Sequence, residues 1–163
     1  MTLLPRYLLS ILLLFLSSSL PYAETGHKVG QTAPGFELTS LEGSKVSLTS
    51  LTQKGHVLLV FWATECVYCY AHIKDFNALH DQYHGKGLSI AAINVAGEYE
   101  QEVREYAQSN GLKYLVLADR LNNLDVAEAY QVFGTPTLVL ISPENRVLFY
   151  GHNLPDMRKW LKD

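Results

Sequence analysis

The two cysteines of this chain, Cys66 and Cys69, lie two residues apart at a predicted junction between a strand and a helix. The apolar run 57–62 before them is typical of a buried strand, and apolar residues recur behind them at steps of four and three, as on one face of a helix. Cys66 is therefore predicted at a helix N-terminus, where unpaired N–H groups and the helix dipole favour a thiolate. Cys69 lies one turn further on the same face and can close a disulfide with it. This arrangement favours thiol–disulfide exchange.

Other uses of the two thiols fit the sequence less well. A structural zinc site needs four ligands, and the chain has no second cysteine pair. A purely structural bridge between residues three apart would restrain the unfolded chain little. His80 and His84 have a spacing that could hold a metal, but no third ligand is evident. The sequence therefore predicts a redox pair that works with no cofactor and no metal.

The first 23 residues have the features of a targeting segment. Arg6 precedes an apolar stretch over residues 7–16, and small residues ending at Ala23 offer a cleavage site. The apolar stretch is short for a membrane span, which needs ~20 residues. We therefore predict a signal peptide over 1–23, with an inner-membrane anchor formed by residues 7–20 as the alternative. An exported chain that uses cysteine only as a CxxC pair indicates the bacterial periplasm.

The remainder, residues 24–163, has the size of one domain and a mildly acidic charge. Residues 1–23 contain one Arg and no acid, so the formal charge of −3 for the whole chain becomes −4 without them. A mildly acidic surface argues against nucleic acid and anionic membranes as partners.

Buried strands and helices alternate along this domain. A hairpin is predicted from the alternating segments 36–38 and 45–48, followed by strands and helices in the order ββ-βαβαβαββα. Such an order implies an α/β fold with a parallel or mixed sheet that is covered on both faces. The predicted strands are 57–62, 88–95, 114–118, 137–141 and 147–150, and the predicted helices are 66–83, 100–109, 124–130 and 156–162.

That order, with CxxC after the first core strand and a Thr-Pro pair before the last hairpin, resembles the thioredoxin superfamily over about residues 29–162. The segments 30–38, 61–64 and 130–137 look like the TlpA/ResA/DsbE branch of exported thiol reductases. The resemblance implies a thioredoxin-like fold, with a central mixed β-sheet flanked by helices and an N-terminal β-hairpin.

The resemblance also assigns roles to residues. Cys66 matches the exposed nucleophile and Cys69 the buried resolving thiol, which together form the redox disulfide. Pro136 matches the cis-proline that faces the disulfide and, with Thr135, helps to bind the substrate chain. Trp62 matches an aromatic residue four positions before the nucleophile, although it could equally be a core aromatic that ends a strand. The implied partners are a disulfide-containing client protein and a membrane thiol reductant of the DsbD or CcdA type.

Three departures from the family pattern leave questions open. Glu65 stands where an aromatic is common, and its charge should raise the pKa of the Cys66 thiol. Val60 stands where thioredoxin has a buried Asp, so the acid that deprotonates the resolving thiol must come from elsewhere. Glu98 is the best match to the acid of the TlpA-like branch, with Glu100 as a competitor and a solvated helix-start acid as the plain alternative. The pair at 67–68 between the cysteines tunes the reduction potential and matches no single branch.

The resulting hypothesis is a periplasmic thiol–disulfide oxidoreductase, acting as a reductase rather than as an oxidase or isomerase. One alternative is a thiol peroxidase of the AhpC/TSA type, because the opening segment 33–36 is shared with peroxiredoxins. Their pattern has a Thr three residues before the Cys, whereas Thr64 lies two before Cys66. The other is a Sco-like copper-binding protein, whose cysteines are separated by three residues instead of two.

Overall fold

The computed structural model describes residues 24–161, so the predicted signal peptide over 1–23, or anchor over 7–20, lies outside the described residues. Five strands form the main sheet in the spatial order β5-β4-β3-β6-β7, and two shorter strands form a separate hairpin. The strands are β1 Glu37–Thr39, β2 Lys45–Ser47, β3 His56–Trp62, β4 Leu88–Asn94, β5 Leu115–Leu117, β6 Thr137–Ile141 and β7 Val147–Gly151. The predicted mixed sheet and N-terminal hairpin are confirmed.

The directions of the strands bring three loops together at the edge of the main sheet where β3 and β4 end and β6 begins. β3, β4 and β5 run parallel, and β6 runs antiparallel to β3. Trp62 at the end of β3 pairs in register with Asn94 at the end of β4, while Phe61 pairs with Thr137 at the start of β6. The loop after β3, the loop after β4 and the loop before β6 therefore meet at this edge. They contain Cys66, Glu98 and Pro136, respectively.

The central strand β3 has a helical layer on each of its faces. Its residues alternate between two cores, because successive side chains of a strand point to opposite faces. Leu58, Val60 and Trp62 belong to one core, together with Cys69 and Phe76. The other core contains Val57, Leu59 and Phe61 with residues from the opposite helices. Burial on both sides explains why β3 reads as a continuous apolar run rather than an alternating one.

Six helical segments are present in the described part of the chain: α1 Leu48–Thr52, α2 Val67–Ala71, α3 Ile73–Tyr83, α4 Glu100–Ser109, α5 Asn123–Ala129 and a 3-10 turn, Met157–Lys159. Within residues 24–161, no helix is both long enough and apolar enough to cross a bilayer.

The helices differ from the prediction in three places. The predicted helix 66–83 is two helices, since His72 has φ −94° and ψ 0° and its N–H bonds the carbonyl of Cys69 three residues back. The unpredicted α1 is capped by Ser47, whose hydroxyl accepts from the N–H of Ser50 at 3.1 Å. Polar and apolar residues alternate over 45–48 as in a strand, so the start of α1 was not predicted. The closing helix predicted over 156–162 is only the 3-10 turn, within the residues described.

Candidate active site

Cys66 and Cys69 form a disulfide at the start of α2, with an S–S distance of 2.05 Å and Cα atoms 5.1 Å apart. Cys66 is the N-cap residue, and its Sγ accepts a hydrogen bond from the backbone N–H of Cys69 at 3.1 Å. The predicted position of Cys66 at a helix N-terminus is confirmed. In the reduced protein the same N–H group is placed to stabilise a Cys66 thiolate.

The two sulfurs differ in how far solvent reaches them. Cys66 is partly exposed, and the two residues that follow it, Val67 and Tyr68, are 76% and 73% exposed. Cys69 is only 4% exposed and packs into the core beneath the sheet edge. The disulfide of a large client can therefore reach Cys66 from the solvent. Cys69 is buried, so it can react only with a disulfide bond that Cys66 has already formed.

Glu98 lies in the loop after β4 and bonds to the loop that leads into the cysteines. Its carboxylate oxygens accept from the backbone N–H of Thr64 at 3.1 and 3.2 Å. It also accepts from the Thr64 hydroxyl and from the side-chain amide of Asn94. Thr64 is two residues before Cys66, so these bonds fix a half-buried carboxylate beside the loop that carries the nucleophile.

Glu100 has a different environment. It lies in the first turn of α4, is exposed, and forms an ion pair with Arg104 one turn later. Arg104 also donates to the carbonyl of Leu41 in the β1–β2 turn. Of the two acids left open by the sequence, Glu98 is the one that the structure brings to the cysteine loop.

A surface groove separates α2 from the loop before β6. Its volume is about 420 Å³, and its lining includes Tyr68 and His72 on one side and Thr135 and Pro136 on the other. The Thr135–Pro136 peptide bond is cis. His152 from the end of β7 also lines the groove, with its Nδ1 2.8 Å from the carbonyl oxygen of Pro136. Since a carbonyl only accepts, Nδ1 carries the proton.

Trp62 lies in the core and not in this groove. It is 3% exposed, and its ring is 5.3 Å from that of Tyr106, centroid to centroid. Together with Cys69 it lines a small pocket in the same core. The structure therefore brings Trp62 to the resolving cysteine, while Thr135 and Pro136 face the outer side of the site.

The remaining histidines form no metal cluster. Within residues 24–161 there is no group of three or more His, Cys, Asp or Glu side chains placed to hold a metal ion. His80 and His84 stack with ring centroids 4.4 Å apart, and partial burial and the neighbouring His84 lower the pKa of His80. The Nδ1 of His72 is 3.0 Å from a carboxylate oxygen of Asp75.

Sequence reasoning missed Thr64, Asn94 and His152 as parts of the site. Asn94 had a usable signal, because it is a polar residue that ends an otherwise apolar strand at the edge where the cysteines were expected. Thr64 lies in the segment that carries the family resemblance, but nothing in its identity indicates a bond to Glu98. His152 follows β7, and the predicted hairpin of β6 and β7 brings it back beside Pro136, but the residues after strand 147–150 were not considered as part of the site.

Fold and site together define a thioredoxin-like protein with a thiol–disulfide redox function. The chain belongs to the AhpC/TSA family, whose sequence profile matches residues 29–149. The thiol-disulfide oxidoreductase ResA of Geobacillus thermodenitrificans is 36% identical over 146 residues, which cover 85% of this chain and 82% of that protein. ResA of Bacillus anthracis is 35% identical over 121 residues, 74% of this chain and 68% of that protein.

Solved structures support the same fold. The thioredoxin domain of a thiol-disulfide oxidoreductase from Bacteroides vulgatus superposes with a TM-score of 0.73 at 22% identity, covering 81% of this chain and 94% of that one. A protein described as a thiol:disulfide interchange protein DsbE, from Chlorobium tepidum, gives a TM-score of 0.70 at 26% identity, with 82% and 91% covered.

Proposed function

We propose that this protein is an exported thiol–disulfide oxidoreductase that reduces disulfides in client proteins. The observation that carries the proposal is the asymmetric pair at the start of α2, with Cys66 partly exposed and capped by an N–H group and Cys69 buried behind it. The relatives that are named thiol-disulfide oxidoreductase ResA support the same class of reaction.

The reaction starts from the reduced protein. The Cys66 thiolate attacks one sulfur of a client disulfide, which forms a mixed disulfide and releases the first client thiolate. The Cys69 thiolate then attacks the Sγ of Cys66, so that the Cys66–Cys69 bond forms and the second client thiolate leaves. Two electrons pass to the client, and its two thiolates take up protons. The disulfide seen in the structure is the product of this half-reaction.

Glu98 is the proposed acid–base group of the second step. Cys69 must lose its proton before it can attack. Val60 stands on β3 where thioredoxin has a buried Asp, so another group must accept this proton. The bonds from Thr64 and Asn94 hold the Glu98 carboxylate at the edge of the sheet where the cysteines lie. We expect this carboxylate to take up the proton directly or through one water.

The groove beside Pro136 is the proposed place for the client chain. Thr135 and Pro136 form one wall, and Tyr68 from between the two cysteines forms the other. A chain that lies in this groove would contact Tyr68, two residues from Cys66, while Cys69 stays buried. The ring of Tyr68 is exposed and does not pack in the core, so it is free to make apolar contact with the client chain.

Export through a signal peptide over residues 1–23 completes the proposal, with residues 24–163 as the periplasmic domain. To turn over, the oxidised protein needs electrons, and the resemblance to the TlpA-like branch implies a membrane thiol reductant of the DsbD or CcdA type. Mass spectrometry of the protein from a periplasmic extract should give a chain that starts near residue 24. A full-length chain in the membrane fraction would support the anchor alternative.

The direct test uses single cysteine variants and a disulfide-containing peptide. Cys66→Ser should abolish exchange, whereas Cys69→Ser should accumulate a mixed disulfide with the peptide, because only resolution is lost. In reduced protein, Cys66 should be alkylated faster than Cys69. The opposite order of alkylation would exchange the roles of the two cysteines and contradict the proposal.

The direction of the chemistry follows from the reduction potential of the pair. A value near thioredoxin's, about −270 mV, would support a reductant, and a value near DsbA's, about −120 mV, would mean an oxidant. Equilibration with glutathione or dithiothreitol at fixed ratios measures it.

A thiol peroxidase is the second candidate, because the AhpC/TSA family profile matches the chain. In that reaction the Cys66 thiolate would attack a peroxide oxygen, forming a sulfenic acid and releasing water or an alcohol, and Cys69 would then close the disulfide with loss of water. Stopped-flow oxidation of the reduced protein separates the candidates. Fast oxidation by hydrogen peroxide with slow reaction toward peptide disulfides would favour the peroxidase.

A further inference from the structure

A small, mostly covered pocket lies beside the resolving cysteine. Its volume is about 10 Å³, room for the centre of one water molecule, and Cys69 is part of its wall. Most of the wall is apolar, formed by β3, β4 and the start of α3. Trp62, Tyr106 and Tyr114 are the lining residues whose side chains carry a polar atom besides the sulfur.

Two of these polar atoms are buried without a hydrogen-bond partner among residues 24–161. They are Nε1 of Trp62 and the hydroxyl oxygen of Tyr106, each shielded from solvent. The two rings lie 5.3 Å apart, so both atoms belong to the same small region of the core. Buried polar groups in proteins are nearly always paired with protein or with an internal water, and two of them lining one cavity indicate a site for such a water.

We propose that this cavity binds one water molecule, which accepts hydrogen bonds from Trp62 Nε1 and the Tyr106 hydroxyl and donates one that stabilises the Cys69 thiolate. The inference rests on the proposed function for its purpose, because a Cys69 thiolate is needed only when a mixed disulfide is resolved. It makes Tyr106 a positioning residue of the site and the water its ligand.

The hydrogen-bonding capacities of the three groups fit this arrangement. The indole N–H of Trp62 only donates, so it uses one lone pair of the water. The Tyr106 hydroxyl donates to the other lone pair of the water. The water then keeps its hydrogens for the sulfur of Cys69, which otherwise faces apolar groups that raise a thiol pKa.

Tyr106 stays protonated in this environment, as a donor must. Burial raises the pKa of Tyr106, and the neighbouring Tyr70 and Glu98 raise it further. Tyr114 in the cavity wall is also held neutral, since burial raises its pKa. Glu98 is the charged group that acts on Tyr106, and His72 at the end of α2 is paired with Asp75.

The test measures the ionisation of Cys69 alone, in protein that carries Cys66→Ser. Thiolate absorbance and the alkylation rate of Cys69 are followed against pH, with and without Tyr106→Phe. The phenylalanine keeps the ring contact with Trp62 and removes only the hydroxyl. We expect a higher pKa of the Cys69 thiol and alkylation about tenfold slower near neutral pH, the size expected when a hydrogen bond to a charged group is lost.

Tyr130→Phe in the same background is the matched control, because it removes another buried tyrosine hydroxyl, one that bonds the carbonyl of Pro34 in the other core. It should leave the titration of Cys69 unchanged. A folded Tyr106→Phe protein whose Cys69 titrates as in the parent would overturn the proposal. This measurement needs no client protein. The inference can therefore fail while the proposed function holds, and the proposed function can fail while the inference holds.

A high-resolution crystal structure of the unaltered protein provides a second, independent measurement. We expect density for one water within hydrogen-bond distance of both Trp62 Nε1 and the Tyr106 hydroxyl. A dry cavity would overturn the water site even if the Tyr106 variant does not fold.

Discussion

Glu98 is held more firmly than an ordinary loop carboxylate. Its donors come from the loop after β3 and from the last residue of β4, so the carboxylate links the ends of the two central strands. A carboxylate held by several donors keeps one orientation, which is what proton transfer from a fixed thiol requires. These bonds also tie its position to that of Thr64, two residues from Cys66.

Replacing Glu98 by Gln should slow resolution of the mixed disulfide while the first attack by Cys66 remains. The amide cannot take up a proton, and its NH₂ group would face the N–H of Thr64 if the side chain kept its place. We expect resolution to be slower by about a hundredfold, the lower end of the range typical of acid–base groups. Rapid acid quenching and separation of the mixed disulfide measure this step.

Glu100→Gln is the matched control, since it removes an exposed acid two residues away that pairs with Arg104. It should leave the rate of resolution unaltered. If the two variants resolve the mixed disulfide at the same rate, Glu98 is not the acid–base group of this step.

Glu65 is expected to act on Cys66 through its charge. It is exposed and directly precedes the nucleophile, so its carboxylate disfavours the Cys66 thiolate. Glu65→Gln should lower the pKa of the Cys66 thiol and speed its alkylation near neutral pH, modestly and less so at high salt. Alkylation profiles against pH measure the change, with Glu42→Gln in the distant hairpin turn as the control. If Glu65→Gln has the same alkylation profile as the parent protein, the charge of Glu65 does not act on Cys66.

At the scale of elements, Asn123 connects the start of α5 to the ends of two strands. Its side chain is 2% exposed, and its amide donates to the carbonyl of Asn94 at 2.8 Å and to that of Leu117 at 3.0 Å. One side chain thereby fixes α5, β4 and β5 relative to one another. Since Asn94 also donates to Glu98, the same contact supports the active-site edge of the sheet.

Asn123→Ala should destabilise the fold by about 2 kcal/mol, because two hydrogen bonds are lost and the carbonyls they served lie in the core. Urea unfolding measures the loss, and Asn153→Ala serves as the control, since Asn153 is exposed and lies outside the core. Equal midpoints for the two variants would show that the buried bonds contribute nothing.

The elements differ in how far local sequence determines them. The run 57–62 and the cysteines behind it predicted a strand and a helix N-terminus correctly, because burial on both faces and helical periodicity leave direct traces in sequence. The break at His72 was missed, since the apolar periodicity continues through it and only the backbone angles change. The groove at Pro136 and the bonds of Glu98 join residues from distant parts of the chain, so no local pattern encodes them.

For the molecule as a whole, Asp119 joins the N-terminal hairpin to the main sheet. Its side chain is 11% exposed, and one carboxylate oxygen accepts from both the N–H and the hydroxyl of Thr39 in β1, at 3.1 and 2.9 Å. Burial by itself would raise the pKa of Asp119. The hydrogen bonds from Thr39 and Asn122 and the nearby Lys45 outweigh burial and hold the pKa below its ordinary value.

This depressed pKa predicts how stability depends on pH. A carboxyl group with a lower pKa in the folded than in the unfolded protein stabilises the fold fully above its unfolded pKa of about 4, and loses that contribution as pH falls through the folded value. Asp119→Asn should therefore lower the urea midpoint near neutral pH, and the gap to the parent protein should narrow below about pH 4. Asp81→Asn, which breaks an exposed ion pair with Lys113, should change the midpoint little at any pH. A gap for Asp119→Asn that stays constant from pH 7 to pH 3 would mean that the ionised carboxylate is not what holds the hairpin to the sheet.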